Sequence, residues 1–241
     1  MASAIRVIDT PPRYPAVAST GQFGERVSAF LAADLPERRE FSARHRGLID
    51  AFASSSVVIL ALWKPDHELC ESADELSFQH RVPWLPVIME HPVIRIGPMV
   101  RPPAGPCFRC YANRRVQHDR DRWAAAILDA AYSNDHACGP KGYLPHHARL
   151  AAALARARLD RPVPANAGQV ADAVTTIRLL AGDLRTWPVV ACDGCDRCEP
   201  SAPPGRPDWL SELSARVRAD GVRNATDGSN TGGRYQRLAF R

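Results

Sequence analysis

The spacing of apolar positions divides the first hundred residues into alternating strands and helices. Alternation over residues 5–9 predicts a first strand, which the prolines of residues 11–15 then end. Apolar side chains three or four positions apart over residues 25–35 predict a helix, with Ser19 or Thr20 as its cap. The continuous apolar run at residues 56–63 is typical of a strand buried on both faces of a parallel sheet.

The rest of this half continues the same alternation. Residues 48–52 and 66–80 are expected to form helices, the second of them facing the surface, and residues 84–89 and 93–97 two further strands. An order of strand, helix, strand, helix and strand indicates an α/β sheet.

Helical periodicity dominates the second half of the chain. Helices are predicted over residues 114–132, 147–159 and 168–184, and a short returning strand at 188–190. Proline, glycine and serine are frequent after residue 199, which predicts a flexible tail. We therefore expect an α/β domain at 1–100, a helical segment at 101–199 and the tail at 200–241.

Composition narrows the classes of protein that the chain can represent. Its 241 residues are 45% hydrophobic and 24% charged, which suits a folded domain with a core. The net charge of +5 permits acidic or nucleic-acid partners, but no basic run is interleaved with aromatic residues. Neither a secretory signal nor an apolar run of ~20 residues is present, so we expect a cytoplasmic protein without a membrane partner.

Four of the seven cysteines form the motif that gives the strongest indication of a metal site in the sequence. Cys107 and Cys110 make one C-x-x-C pair, and Cys195 and Cys198 make another. Two such turns can complete a tetrahedron of thiolates around zinc, and a four-thiolate site leaves no open position for a substrate. The expected metal is therefore structural. Cys192 stands three positions before Cys195 and is a reserve ligand.

Other interpretations of the cysteines stay open at this stage. The pairs also fit a redox dithiol or an iron–sulfur cluster, although zinc is favoured. Cys70 and Cys138 are isolated and are expected to be incidental thiols. The neighbouring His146 and His147, and His118, are expected to have structural roles.

Glycines at 21 and 24 stand where a strand–loop–helix nucleotide site would place its phosphate loop. A dinucleotide loop needs G-x-G-x-x-G, whereas this turn is G-x-x-G with the bulky Phe23 inside it. We therefore expect a structural turn that binds no cofactor. The sequence contains no P-loop, G-x-S-x-G or H-E-x-x-H motif, and no catalytic residue is assigned.

Several segments together resemble a known family. They are residues 20–25, 58–65, 83–87, 95–100, 105–111 and 115–119, followed by the pair Cys195 and Cys198. Over about residues 5–199 the chain resembles the ThiF-like partner proteins of YcaO cyclodehydratases, also called precursor leader-peptide-binding proteins, of thiazole/oxazole-modified peptide biosynthesis. The run from Arg95 through Gly97 and Pro98 to the first cysteine pair is its most specific part.

The resemblance implies a fold and a role. The fold implied is a degenerate, Rossmann-type form of the ubiquitin-activating-enzyme-like α/β domain, and by this resemblance Cys107, Cys110, Cys195 and Cys198 are expected to bind structural zinc. The chain is a non-catalytic subunit that presents a ribosomal precursor peptide for azoline formation, while the YcaO partner uses the ATP. Fuller members carry a winged-helix peptide-recognition domain ahead of the sheet. Here the first predicted strand begins at residue 5, so a separate protein is expected to recognise the leader.

Two functions of other classes remain as alternatives. An adenylating enzyme like ThiF or MoeB would need an intact nucleotide loop and a catalytic cysteine, and neither is evident in the sequence. A zinc-containing nucleic-acid binder agrees with the basic charge but has no supporting motif.

Overall fold

A computed structural model describes residues 12–43, 45–103, 106–118, 122–135, 137–140, 142–160 and 173–198. These residues all lie within one compact unit, Met1–Pro200. They form a seven-stranded sheet with helices on both faces, in the order β2-β1-β3-β4-β5-β6-β7. The predicted α/β fold class with a Rossmann-type sheet is confirmed.

The first half of the sheet is parallel and alternates with helices. Strands β2, β1, β3 and β4 run in one direction, and strands that are consecutive in the sequence are joined by a helix that crosses over the sheet. The elements in chain order are β1 (Tyr14–Thr20), α1 (Gly21–Asp34), β2 (Arg39–Ser42), α2 (His45–Ser54), β3 (Ser55–Leu62), α3 (His67–His80) and β4 (Trp84–Glu90).

The second half of the sheet is antiparallel. Strand β5 turns back beside β4, and β6 and β7 follow as a hairpin that ends the sheet. Three helices are described between β5 and β6 in the sequence. These elements are β5 (Val93–Ile96), α4 (Phe108–His118), α5 (Arg122–Asn134), α6 (Pro145–Leu159), β6 (Ala173–Arg178) and β7 (Asp183–Pro188).

Strand β3 shows why the central sequence is apolar without interruption. Ile59 and Ala61 face α1 and α6, while Val58, Leu60 and Leu62 face α2 and α3. Consecutive strand residues point to opposite faces, and both faces are covered. All five side chains are buried, as the sequence pattern predicted.

The predicted helix over residues 168–184 is wrong. The described part of this segment is β6 and the start of β7, joined by a turn in which Gly182 has φ +67°. The apolar spacing also fits a strand, because Val174 and Ile177 are buried on opposite faces of β6. The β-branched residues of β6 suit a sheet, and β5 supplies the edge with which they pair.

The N-terminal prediction also needs correction. The first described strand is β1, which includes Pro15 within the segment expected to break the chain. Proline is tolerated near the start of a strand, and the pairing with β3 shifts register between Tyr14 and Pro15. The strand predicted at 5–9 and the tail at 200–241 lie outside the described residues.

Some helix and strand boundaries differ from the expectation. Helix α3 is present as predicted but is not merely a surface helix, because it buries Cys70, Ala73, Asp74 and Ser77. The helix predicted at 114–132 corresponds to α4 and α5, with residues 119–121 outside the description. The returning strand predicted at 188–190 is the end of β7, which stops at Pro188.

Within the described residues, no helix is both long and apolar enough to cross a membrane.

Candidate functional site

The two cysteine pairs meet next to α3, whose Phe78 packs against them. Cys107 precedes α4 and Cys110 lies in its first turn, while Cys195 and Cys198 occupy the turns that follow β7. The Sγ atoms of Cys107 and Cys110 are 3.7 Å apart, those of Cys107 and Cys195 3.6 Å, and those of Cys110 and Cys198 3.5 Å. All four sulfurs lie within 4.8 Å of one another, and this group is called the tetracysteine cluster.

This geometry fits a single tetrahedral metal ion. A Zn–S bond of about 2.3 Å in a regular tetrahedron separates the sulfurs by roughly 3.8 Å, close to the spacing of the tetracysteine cluster. Cys107, Cys110 and Cys195 are buried and Cys198 is half-buried, so the site is closed to solvent on most sides. The four cysteines could therefore hold a metal ion.

Cys192 lies outside the cluster and contacts it through its backbone. Its amide N–H donates to Cys110 Sγ at 3.2 Å, and its thiol lies 3.7 Å from the Cys110 carbonyl oxygen. This contact makes Cys192 a support for a sulfur of the cluster.

Hydrogen bonds within the cluster favour a thiolate at Cys110. The Cys107 thiol, then the Cys198 thiol and the Cys192 amide, lower the pKa of Cys110 well below its usual range. The same hydrogen bond raises the pKa of the donating Cys107 thiol, so a metal ion that binds all four sulfurs would have to displace its proton.

A buried carboxylate on α3 connects both halves of the cluster. Asp74 Oδ1 accepts from the Phe108 amide at 2.9 Å and from Trp84 Nε1 at 3.3 Å. Asp74 Oδ2 accepts from Arg197 Nη1 at 2.8 Å. Phe108 follows the first ligand of one pair and Arg197 lies between the two cysteines of the other. One side chain therefore fixes both C-x-x-C turns.

A more exposed set of ion pairs connects the same two C-x-x-C turns with each other and with α3. Arg109 Nη1 donates to Asp196 at 2.9 Å, and Arg197 Nη1 donates to Glu71 at 3.1 Å. Arg109 Nε also lies 3.6 Å from Glu71. The residues inside each C-x-x-C motif therefore pair with the opposite turn or with α3.

A second buried ion pair anchors α4 to the sheet. Glu90 at the end of β4 accepts from Arg95 Nε at 2.7 Å and from Arg115 Nη1 at 2.9 Å. The Arg95 guanidinium lies 5.8 Å from the centre of the Phe108 ring and 4.9 Å from that of Tyr111, within the range of cation–π attraction. This network holds the helix that begins with the first cysteine pair.

Sequence reasoning missed Asp74, Arg197 and Glu90. An Arg within a C-x-x-C motif is a weak signal, because such residues are usually exposed. Asp74 shares a buried helix face with Cys70 and Ser77, and this spacing is the one signal in the sequence from which its burial could have been predicted.

The glycine turn is a close-packed connection between β1 and α1. A Cβ at Gly24 would lie 2.3 Å from the Ala61 carbonyl oxygen, so only glycine lets α1 approach β3 this closely. Gly21 has φ +63°, and a Cβ there would lie 2.5 Å from the Trp63 side chain. Phe23 is buried and packs edge-to-face with Tyr143, with ring centres 5.7 Å apart.

A cavity of about 350 Å³ opens beside this turn, near the carboxyl ends of β1, β3 and β4. Ligands of open α/β sheets commonly bind in this position. Its described lining contains neither lysine nor arginine, and consists of Gly21, Gln22, Phe23, Trp63, Met89, His91, Ala137, Pro140 and Tyr143. Such a lining offers no cation to a phosphate group.

The remaining predicted residues take structural positions. His146 is exposed beside His147, whose Nδ1 accepts from the Leu144 amide at 3.4 Å at the start of α6. His118 is exposed at the end of α4. Cys70 is buried, and burial raises its pKa to about 12, whereas Cys138 is half-buried. Neither cysteine joins the tetracysteine cluster.

Comparison by sequence finds no matching protein-family model and no matching curated protein. Comparison with solved structures finds clear likenesses. A heterocyclase in complex with substrate and cofactor matches 77% of this chain at 14% identity and a TM-score of 0.54, over 25% of its own chain. The heterocyclase TruD matches 89% at 15% identity and a TM-score of 0.51, over 36% of its own chain.

A third match is of comparable size to this protein. A chain of the E. coli microcin synthetase McbBCD complex matches 79% of this chain at 14% identity and a TM-score of 0.52, over 71% of its own length. By contrast, the chain spans a quarter of the length of the first heterocyclase and about a third of the length of TruD. At these identities the likeness establishes the fold. The expected resemblance is thus confirmed at that level: this chain has the fold shared by the heterocyclases and the microcin synthetase subunit that it matches.

Proposed function

We propose that this chain is a non-catalytic scaffold and activator subunit of an ATP-dependent YcaO cyclodehydratase. The observation that carries the proposal is the tetracysteine cluster placed within a fold shared with heterocyclases and with a subunit of a synthetase complex. The McbBCD match supports a separate subunit, because it covers most of a chain that works within a complex.

Zinc is the metal proposed for Cys107, Cys110, Cys195 and Cys198. Four thiolates suit zinc, and the sulfur spacing suits one ion rather than a cluster, which would hold its ligands farther apart. Bound zinc would offset half of the negative charge of the four thiolates and link α4 to the segment after β7. With four protein ligands it has no position for a substrate, so its proposed role is structural.

ATP is proposed to bind the partner and not this chain. The Trp63 side chain packs against Gly21, and the nearby Lys64 Nζ donates to the carbonyls of Tyr132 and Asp135 at 2.7 and 3.1 Å. That lysine stabilises the end of α5 and is not directed at a phosphate. The proposed site of action is the cytoplasm, where ATP is available to the partner enzyme.

Catalysis in the complex would follow from positioning. A Cys, Ser or Thr side chain of the precursor peptide attacks the carbonyl carbon of the preceding amide. The partner transfers the γ-phosphoryl group of ATP to the resulting oxygen, and loss of phosphate leaves the azoline, one water lighter than the peptide. This chain raises the effective concentration of peptide at the partner's site. Leader recognition is proposed to involve a separate protein.

Reconstitution tests this proposal. A YcaO enzyme is assayed by mass spectrometry with its precursor peptide, with and without this chain, and loss of one water mass per ring is measured. We expect no ring formation by this chain alone and a large rate gain when it joins the enzyme. A YcaO enzyme that is equally fast without this chain would refute the scaffold role.

An adenylating enzyme is the second candidate, favoured by the cavity at the carboxyl ends of β1 and β3. Calorimetry with ATP and magnesium separates the two functions. Sub-millimolar binding of ATP to the folded wild-type protein would favour adenylation, whereas the scaffold proposal expects no heat of binding.

A further inference from the structure

Strand β7 forms one end of the seven-stranded sheet, and its outer side is open in the described part of the chain. It pairs with β6 on one side and with no described strand on the other. Five of its six residues are exposed. An edge strand of this kind carries a row of backbone donors and acceptors without ladder partners.

The register of the sheet identifies which backbone groups face outward. The Leu179 amide donates to the Pro92 carbonyl at 2.9 Å, in the same register in which Ile94 pairs with Ile177. Odd-numbered residues of β6 therefore bond to β5, and even-numbered residues bond to β7, because the two sides alternate along a strand.

The same alternation applies to β7. Its residues 183, 185 and 187 pair with the even-numbered residues of β6 and so bond inward. Leu184, Thr186 and Pro188 then direct their backbone groups to the open side. The outward donors are the amides of Leu184 and Thr186, since proline has none.

The β7 edge is only partly protected against pairing with another strand. The pairing of β6 with β7 runs through six consecutive residue pairs without a bulge. Leu184 is 48% exposed and Trp187 47% exposed, so apolar side chains stand on both faces of the strand. Pro188 blocks the end of the edge, but the stretch from Leu184 to Trp187 can accept another strand.

The hairpin also carries an excess of positive charge. Arg178 and Arg185 both pair with the single carboxylate of Asp183. An acidic strand is therefore a better complement to this edge than a second copy of the same basic edge.

We propose that the edge of β7 binds an extended, acidic segment of the substrate peptide by adding it as an eighth strand. The proposal rests on the scaffold function above and gives that function a peptide-binding surface. The added strand would pair with the amides of Leu184 and Thr186 and with the carbonyls of residues 184, 186 and 188. Its alternate side chains would contact Leu184 on one face and Trp187 on the other, with a carboxylate near Arg185.

Fluorescence anisotropy tests the proposal on the full-length protein. The probe is a fluorescein-labelled ten-residue peptide of alternating glutamate and valine. Two control peptides replace glutamate by lysine, or carry N-methyl groups on two adjacent central residues so that both edges of the strand are blocked. We expect the glutamate peptide to bind at least about tenfold more tightly than either control.

A matched pair of variants locates the binding to β7. Thr186→Pro removes an outward amide while leaving the inward ladder, and proline is tolerated at such edge positions. Thr186→Val keeps the amide and removes only the hydroxyl that lies 3.0 Å from the Thr175 hydroxyl. We expect Thr186→Pro to weaken binding by about tenfold or more and Thr186→Val to leave it within about threefold.

Several results would overturn the proposal. They are no binding of the glutamate peptide to the wild-type protein, equal binding of the N-methylated peptide, or equal effects of the two variants. The N-methylated peptide keeps the test decisive if Thr186→Pro is less stable. A wild-type dimer, seen by light scattering, that Thr186→Pro converts to a monomer would instead assign the edge to self-association.

The binding assay contains no YcaO enzyme, so the two proposals can fail separately. Peptide binding without a rate gain in reconstitution would refute the scaffold function alone. A rate gain that Thr186→Pro leaves unchanged would refute peptide binding at β7 but would not affect the proposed scaffold function.

Discussion

Arg197 Nη1 donates a hydrogen bond to Asp74 Oδ2 at 2.8 Å, and the Asp74 side chain is fully buried. The other oxygen of the same carboxylate accepts from the Phe108 amide. Residues 108 and 197 belong to different C-x-x-C turns, so the Asp74–Arg197 pair fixes the relative position of the two halves of the tetracysteine cluster. A single substitution at Asp74 should therefore weaken both the fold and metal binding.

Asp74→Asn should lower the free energy of unfolding by about 3 kcal/mol, because it leaves the Arg197 charge without its buried partner. Metal affinity, measured by competition with a chelator, should fall as well. Glu71→Gln is the matched control, since Glu71 contacts the same guanidinium at 3.1 Å but is more exposed. That control should cost about 1 kcal/mol or less. Equal effects of the two variants in urea unfolding would contradict the role assigned to Asp74.

One zinc ion per chain should be found by elemental analysis of freshly purified protein. Cys107→Ser and Cys198→Ser should each lose the metal and lower stability by at least about 3 kcal/mol, because metal binding and folding are coupled. Cys192→Ser should keep the metal, since the Cys192 contact to Cys110 uses the backbone amide. Loss of zinc in Cys192→Ser with retention in Cys198→Ser would show that the second pair is Cys192 and Cys195 rather than Cys195 and Cys198.

Gly24→Ala should destabilise the protein by about 1–3 kcal/mol, because the added Cβ would lie 2.3 Å from the Ala61 carbonyl oxygen. Gly142→Ala is the matched control, since no heavy atom lies within 4 Å of its added Cβ. The control should change stability by less than about 0.5 kcal/mol in thermal or urea unfolding. A Gly24→Ala variant as stable as the control would show that α1 can shift away from β3 at little cost.

Stability should depend on pH through Glu90. Burial alone would raise the pKa of this carboxyl, but Arg95 and Arg115 outweigh burial and the pKa is lowered. A lowered folded-state pKa stabilises the protein above the unfolded value of about 4.3, and this contribution is lost as the pH falls through the folded value. Glu90→Gln should therefore cost about 3 kcal/mol at pH 7.

The same variant should differ less from wild type as the pH falls below about 4. Urea unfolding of both proteins between pH 7 and pH 3 measures this convergence. Asp160→Asn serves as a control, because it disrupts an exposed pair with Arg156 and should cost only about 0.5 kcal/mol. A difference between Glu90→Gln and wild type that is constant with pH would contradict the ionic role of Glu90.

The sequence alone determined the parts of the fold that depend on short-range patterns. The apolar run that forms β3, the spacing that forms α1 and α3, and the alternation of strands and helices all gave the α/β class. Each of these patterns is explained by burial on one or both faces of a single element, which the sequence shows directly. The two cysteine pairs were visible for the same reason, because each pair lies within one turn.

Only the tertiary structure decided what depends on contacts between distant segments. Residues 173–188 fit a helix by their spacing, yet pairing with β5 makes them a hairpin, since the hydrogen bonds of a strand come from its neighbour. The C-x-x-C spacing allowed Cys192 with Cys195 as a ligand pair as well as Cys195 with Cys198. Which sulfurs lie beside Cys107 and Cys110 followed from how the chain after β7 approaches α4. Asp74 was missed because its helix was predicted to face the surface. Its partner Arg197 lies 123 positions along the chain, and only folding brings the two together.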